Sequence, residues 1–300
     1  MKELSMLTNG RTGTHYPMSL ILRAAGYSSS TWYCSRKKSS SAKREMRQNK
    51  VVLSDAEILV EINKILSSSI FHGEGYRKTW MRLRRKNIIV DKDRVNAIMR
   101  DNNLLSPYRH SVLKKKRCEH NGTITTAGQN RMWGTDGKRF YIEGQGWHWF
   151  FGVIDHYNDE LLAWHTAKTG NRFAAMEPVK MAIKKQFGRV EKDVCTGMEL
   201  KLRSDHGTQY DSKDFMEEME FLGVNMSKSF VRSPQCNGCI ERFNRTIEEE
   251  VFSIERFHSL EEANEVINSF IEAYNKDWMI HRLGCLSPIE YKYLHLIEAA

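Results

Sequence analysis

No stretch of this 300-residue chain approaches the roughly 20 consecutive apolar residues that a membrane-spanning helix needs. The first residues, MKELSMLTNGRTG, also lack the apolar run of a secretory signal, so the chain is expected inside the cell. Cysteines number only six, scattered at positions 34, 118, 195, 236, 239 and 285, which argues against a secreted disulfide framework. Cys236 and Cys239 form a CxxC pair, but no second pair and no closely spaced histidines complete a tetrahedral zinc site. No internal repeat is present. Negative charge is scarce in the front of the chain. The whole excess of Lys and Arg lies before about residue 117, and beyond it acidic side chains outnumber basic ones. A basic segment of that size suits a polyanion, because each Lys or Arg beside a phosphate releases condensed counterions; a merely solvated surface is the alternative.

The length allows about two domains. Residues 17–34 read as a short helix stopped by Gly26 and then a Ser-initiated helix carrying Trp32 and Tyr33. Residues 35–50 are Ser-rich and basic without apolar periodicity, a linker suited to a phosphate backbone. From Ser54 the pattern turns helical, with Ile58, Val60, Ile62, Ile65 and Leu66 as an expected apolar side. The segments Tyr76–Lys86 and Asp91–Asp101, joined by Asn87–Val90, have helix-turn-helix spacing. Val95, Ile98 and Met99 would face inward and leave Lys92, Arg94, Asn96 and Arg100 to reach DNA; a plain three-helix bundle is the alternative. The cluster Lys114, Lys115, Lys116 and Arg117 falls in a polar boundary, so the expected division is 1–50, 51–105, 106–130 and 131–295.

Beyond that boundary, Met132–Tyr141, Trp147–His156 and Leu161–Thr166 read as three strands of an antiparallel meander. A helix at 171–187, a strand ending at Arg203, a helix at 212–222, a strand at 224–228 and a long helix from about 237 follow. The pattern is that of an α/β domain, a mixed five-stranded sheet with helices on both faces.

Three carboxylates then stand out. Asp136 lies within the first strand, Asp205 ends the fourth and Glu241 sits one turn into the long helix. Strand, strand end and helix can converge on one point. Clustered carboxylates repel one another, whereas divalent ions favour their charged forms, and two such ions about 4 Å apart suit phosphoryl transfer. Hard oxygen donors suit Mg²⁺ or Mn²⁺. Taken singly, Asp136 and Asp205 also read as strand-end turn formers, and Glu241 as an acid favoured by the helix dipole.

The flanking words add to this. WGTDGKRFY, FFGVIDHYNDELLAWH, RSDHGTQYDSKDF and SPQCNGCIERFNRTIEEEVF occur in the order, and with the 35 residues between Asp205 and Glu241, seen in one family. The chain resembles the insertion-sequence transposases of the second-reading-frame type, whose core is of the retroviral-integrase kind. YNKDWMIHRLGCLSPIEY resembles the family's closing segment and residues 71–107 its helix-turn-helix, so the resemblance covers about 17–295.

The resemblance implies a ribonuclease H-like core preceded by an all-α DNA-binding region, with Asp136, Asp205 and Glu241 catalytic and metal-binding. It implies two Mg²⁺ or Mn²⁺ ions, and strand cleavage and transfer on double-stranded DNA at terminal inverted repeats and target. It also implies a homo-oligomer on DNA, an upstream-frame partner or fusion, and a bacterial, nucleoid-associated location. A nuclease without strand transfer and an inactive DNA-binding regulator are the alternatives. Where the family has a basic DNA contact seven residues after the glutamate, this chain has Glu248; Arg245, one turn after Glu241, stands as its substitute, and an acid at 248 is expected to repel the backbone. Asp155 is read as structural or supporting. His206 either orients Asp205 or serves the turn. Asn237 and Gly238 resemble the loop that lets backbone approach DNA, or simply start a helix.

Overall fold

The computed structural model describes residues 15–28, 53–107, 126–205, 207–228 and 237–298, in two compact units that divide between Ser54 and Asp55. The expected helix around Trp32, the linker 35–50, the cluster Lys114–Arg117 and His206 lie outside the described residues. In the first unit, α1 (Met18–Ala24) ends where Gly26 takes φ +68 and Tyr27 N donates to Leu22 O at 2.9 Å. A left-handed residue there satisfies carbonyls that the last turn leaves open, and glycine adopts it without a side-chain clash.

The second unit begins with α2 (Asp55–Ser68), α3 (Tyr76–Arg85) and α4 (Lys92–Asp101). Asp91 caps α4 by accepting from Asp93 N at 2.8 Å, and Asn87 supplies the positive φ of the preceding turn. Val95, Ile98 and Met99 are buried, as the periodicity requires. Val60 is not: Ile58, Ile62 and Ile65 form the buried i, i+4, i+7 stripe, and Val60, about 200° around the helix from Ile58, is 52% exposed.

Five strands follow as one mixed sheet. β1 (Met132–Ile142), β2 (Gly146–Asp155) and β3 (Leu161–Ala167) form the antiparallel meander, α5 (Arg172–Phe187) crosses one face, and β4 (Lys201–Ser204), α6 (Lys213–Leu222) and β5 (Asn225–Lys228) complete the sheet in the order β3-β2-β1-β4-β5. β4 runs parallel to β1 and β5 parallel to β4. This is the ribonuclease H-like arrangement, and the strands and helices fall within a residue or two of the positions that period-2 and period-3.6 patterning predicts.

Alternation along β1 divides the core. Trp133, with Phe151 and Val153 of β2, packs under α5 and α6. Phe140 and Ile142, with Phe150 and Ile154, pack against α7 (Gly238–Ile247) and α8 (Leu260–Asp277). Because β2 is buried on both faces, its FFGVI segment reads as a continuous apolar run. Asp136 shares the parity of Phe140 and therefore faces α7.

α7 continues into a π-helical segment, Glu248–Phe252, in which Ser253 N reaches back to Glu248 O at 2.9 Å. Here the leading helices join the core. Buried Glu250 accepts from His72 N at 2.6 Å and Gly73 N at 2.8 Å, and Phe71 packs edge-on against Trp278 at 4.8 Å and Phe270 at 6.2 Å. Residues 55–101 thus belong to the same compact unit as the sheet. At the far edge, the Asn275 amide on α8 accepts from Leu161 N at 2.9 Å and donates to Leu161 O at 3.0 Å, so one side chain does for β3 what another strand would. A short turn, His281–Leu283, and α9 (Pro288–Glu298) close the chain, and α9 is tied to α3 by Arg85 and Glu290 at 2.8 Å.

Because Glu250 satisfies two backbone N–H groups that its removal would leave without an acceptor, Glu250→Ala should lower unfolding stability by about 1–3 kcal/mol. Its less buried neighbour sets the baseline: Glu249→Ala should stay within about 0.5 kcal/mol. Urea denaturation of both proteins checks this, and equal effects would mean that the carboxylate of Glu250 is not the joint.

Candidate active site

Asp136 is held from two sides. Gly137 N donates to its Oδ1 at 2.8 Å, and Asn244 Nδ2, from the middle of α7, donates to its Oδ2 at 2.8 Å. Burial nevertheless dominates and pushes its pKa up to about 6; the two hydrogen bonds oppose the shift, while the negative charges of Asp205 and Glu241 add to it. Asp205 and Glu241 are therefore each near enough to act on Asp136. Asp205 follows the last residue of β4, exposed, its Oδ1 accepting from Gly207 N at 2.9 Å. A Cβ on Gly207 would come 2.5 Å from Gln209 Nε2 and 2.9 Å from that same oxygen, so a side chain there would displace Gln209 or the Asp205 carboxylate. Glu241 is in the first turn of α7, its pKa raised by burial and opposed by Arg245 one turn on. Among the described residues, no group of three His, Cys, Asp or Glu side chains is placed so that it could hold a metal ion as it stands.

The donor set nonetheless fits a divalent cation. All three groups offer hard carboxylate oxygens, and mutual repulsion at Asp136 is what a bound cation would relieve.

Asp155 lies on the other face. It pairs in register with Trp133, and it accepts from Asn130 N at 2.9 Å and Tyr157 N at 2.8 Å, closing the turn after β2; burial pushes its pKa up to about 6. Glu248 does not confront DNA as a lone acid, because Lys138, two residues after Asp136 on the same strand face, pairs with it at 2.9 Å. The repulsion expected of Glu248 thereby loses its premise. On α4, Arg94 pairs with Asp55 at 2.6 Å, Arg100 lies 3.4 Å from Asp101, and Lys92 and Asn96 are half-buried.

Sequence reasoning missed the groups around these carboxylates. Asn237 does not cap α7 with its side chain; its Nδ2 donates to Thr135 O at 3.2 Å, beside Asp136. Asn237 Oδ1 and His156 Nε2 both lie over Gly134, where an added Cβ would be 2.7 Å from each. Burial pushes the His156 pKa down to about 4, leaving a neutral ring. The Cys239 thiol is pushed up to about 12 by burial and by the Asp159 carboxylate, which itself pairs with Arg282 at 2.8 Å. The one available signal was an Asn at 244 on the apolar side of an otherwise charged helix.

A family model described as an integrase core domain matches residues 222–282. Transposase InsD for insertion element IS2A/D/F/H/I/K of Escherichia coli is 28% identical over 246 residues, covering 79% of this chain and 78% of that one. InsD for insertion element IS2-9 of E. coli strain K12 is also 28% identical, over 79% and 77%. Of solved structures, a simian T-cell lymphotropic virus intasome aligns with TM-score 0.44 and 15% identity over 73% of this chain and 70% of that chain. The HTLV-2 integrase catalytic core in complex with magnesium aligns with TM-score 0.40 and 15% identity over 54% and 95%.

The raised pKa of Asp136 has a signed consequence for stability. A carboxyl that titrates near 6 when folded and near 3.8 when unfolded lets the folded state hold its proton longer between those values. In protein freed of divalent ions, its contribution should fall as pH rises from about 4 to about 6, with no further change above that. Thermal unfolding across this range should show a shallower decline in Asp136→Asn than in the wild type; identical slopes would mean that Asp136 titrates normally.

Proposed function

We infer that this chain is a transposase of the insertion-sequence type with an integrase-like core, an enzyme that cuts DNA strands at the ends of its element and joins them to target DNA. The observation that carries the assignment of its site is electrostatic. A partly buried aspartate in the middle of a strand is pushed upward in pKa first by burial and then by the carboxylates of a strand end and of a helix first turn. A fold does not collect such mutual repulsion for stability.

The reaction is two in-line phosphoryl transfers. Water displaces one DNA strand at a phosphodiester, leaving a 3′-hydroxyl, and that hydroxyl then attacks a phosphodiester of the target and releases its 3′-oxygen. No covalent protein intermediate is needed; Tyr210, the tyrosine near Asp136 and Asp205, is fully buried, its hydroxyl 3.4 Å from Thr135 Oγ1 and its pKa raised by burial. Asp136, Asp205 and Glu241 would hold Mg²⁺ or Mn²⁺, two ions per active site, which would lower the pKa of bound water and neutralise charge on the phosphate. Asn244 and Gly137 fix the Asp136 carboxylate so that its oxygens stay where β1 places them. Arg245, exposed one turn from Glu241, offers a cation to the DNA backbone.

Double-stranded DNA is gripped by the basic front: Lys92, Arg94, Asn96 and Arg100 on α4, with Lys114, Lys115, Lys116 and Arg117 beyond it. The working assembly is an oligomer that brings two element ends together, with an upstream-frame partner or fusion adding DNA contacts, and it acts at the bacterial nucleoid. No helix among the described residues is long and apolar enough to cross a membrane.

Asp136→Asn, Asp205→Asn and Glu241→Gln should each abolish cutting and joining of an element-end duplex into supercoiled target with Mg²⁺, while end binding is retained. Full activity in any one removes that residue from the site, and cut product without joined product in the wild type would make the enzyme a nuclease.

End binding has its own test. Lys92→Glu combined with Arg100→Glu should weaken it and reduce the dependence of log affinity on log salt by about 2. A salt slope that does not move would take α4 off the DNA.

A further inference from the structure

We propose that Lys138 of β1 is a DNA-binding residue of this site, its ammonium held by Glu248 to meet a phosphodiester close to the one being cut. The proposal rests on the assignment of Asp136 and Glu241 made above and adds a contact to it.

The strand and the helix together place this cation. Lys138 follows Asp136 by two residues, and alternation turns both toward α7. Gly137 between them faces the opposite half of the core, where an added Cβ would meet the Phe151 ring at 2.5 Å. Lys138 pairs in register with Phe150, whose ring lies against Phe243 of α7 at 6.2 Å. On the helix, Glu241, Arg245 and Glu248 follow one another at i, i+4 and i+7, along one stripe. The Lys138–Glu248 pair, closed at 2.9 Å, thus lies about 7 Å along the strand from Asp136 and about 10 Å along the helix from Glu241. Those spans equal about two or three base steps of a DNA strand.

The pair is open to a ligand, since the side chain of Lys138 is 26% exposed and that of Glu248 41%. Glu248 divides its carboxylate: Oε1 accepts from Ser253 Oγ at 3.2 Å and Oε2 meets Lys138, so the acid is fixed independently of the lysine. An ammonium has three N–H donors, and a single carboxylate oxygen leaves others for a phosphate. Charge explains why the acid is there. A lysine on a long flexible stem beside Asp136 would otherwise fold back onto the carboxylates and occupy the place of a cation; Glu248 draws it two helical turns from Glu241. A half-exposed ion pair contributes little to stability, so stability does not account for one on the rim of a carboxylate site.

The test uses the full chain carrying Asp136→Asn, so that an element-end duplex is bound and not cut, and measures affinity against salt. Lys138→Gln should weaken binding and lower the slope of log affinity against log salt by about 1. Glu248→Gln breaks the same pair but keeps the cation, so it should bind more tightly with a slope that is not reduced. Lys180→Gln controls for charge alone, because Lys180 pairs with Glu218 at 2.8 Å between α5 and α6 on the opposite face of the sheet; it should leave the slope where it was. The contact itself is read by replacing the phosphates near the cut, one at a time, with uncharged methylphosphonates. At one of them the loss of affinity should be several-fold with Lys138 present and absent in Lys138→Gln.

Equal weakening by Lys138→Gln and Glu248→Gln would make the pair a structural tie and overturn the proposal. So would methylphosphonate losses that are the same with and without Lys138 at every position. Urea unfolding checks that the variants fold; should Lys138→Gln not, Lys138→Met keeps the apolar stem and takes its place, and weaker binding by Glu248→Gln decides against the proposal by itself. Cutting by the Asp136→Asn chain, or its failure to bind end DNA more tightly than a scrambled duplex, overturns the reading of the site and the contact with it.

Discussion

The structure depends on the register between β1 and the helix that crosses it. Two residues along the strand advance about 6.6 Å and four along the helix about 6 Å, so side chains can meet rung by rung. They do: Asp136 with Asn244 at 2.8 Å, Lys138 with Glu248 at 2.9 Å, and Phe140 with Phe252, their rings stacked 5.0 Å apart. One rung orients a carboxylate, the next neutralises a charge pair and the third anchors both elements in the core. The final rung falls in the π-helical segment, and there too Glu250 receives the loop that leads into α3. The helix that carries Glu241 is thus joined at one end to the carboxylate site and at the other to the leading helices.

The polar groups packed around this register are costly to bury without partners, and they are largely partnered. Asp155 is satisfied by two backbone amides, Asp159 by Arg282, and Glu160 by Lys185 and Lys292. At Asp136, as at Asp155, two hydrogen bonds do not offset burial; what sets Asp136 apart is that two further carboxylates, those of Asp205 and Glu241, add to the shift, which is where a cation would contribute most.

Much of this was legible along the chain. The strands announced themselves by alternation and by the continuous apolar run of β2, the helices by their stripes and by Asp91 and Ser212 at their starts. Asp136, Asp205 and Glu241 stood out through their spacing and the words around them. The misreadings were local. Val60 was placed on the apolar side of α2 because it is apolar, although the 100° step per residue carries it to the opposite face. The pairing of Glu248 with Lys138 was not read at all, because the two lie 110 positions apart in the chain.

The amino-acid sequence by itself determined the element order and the class of sheet and singled out the three candidate carboxylates, because periodicity, caps and short words are properties of neighbouring residues. Only the tertiary structure decided how Asp136 is held and which side chains pack around it. Asn244 reaches Asp136 across 108 positions, Asn237 reaches Thr135 across 102, and Arg282 reaches Asp159 across 123. Contacts of that range form only after sheet and helices have packed, and a buried hydrogen bond or ion pair leaves no period in the chain from which it could be read.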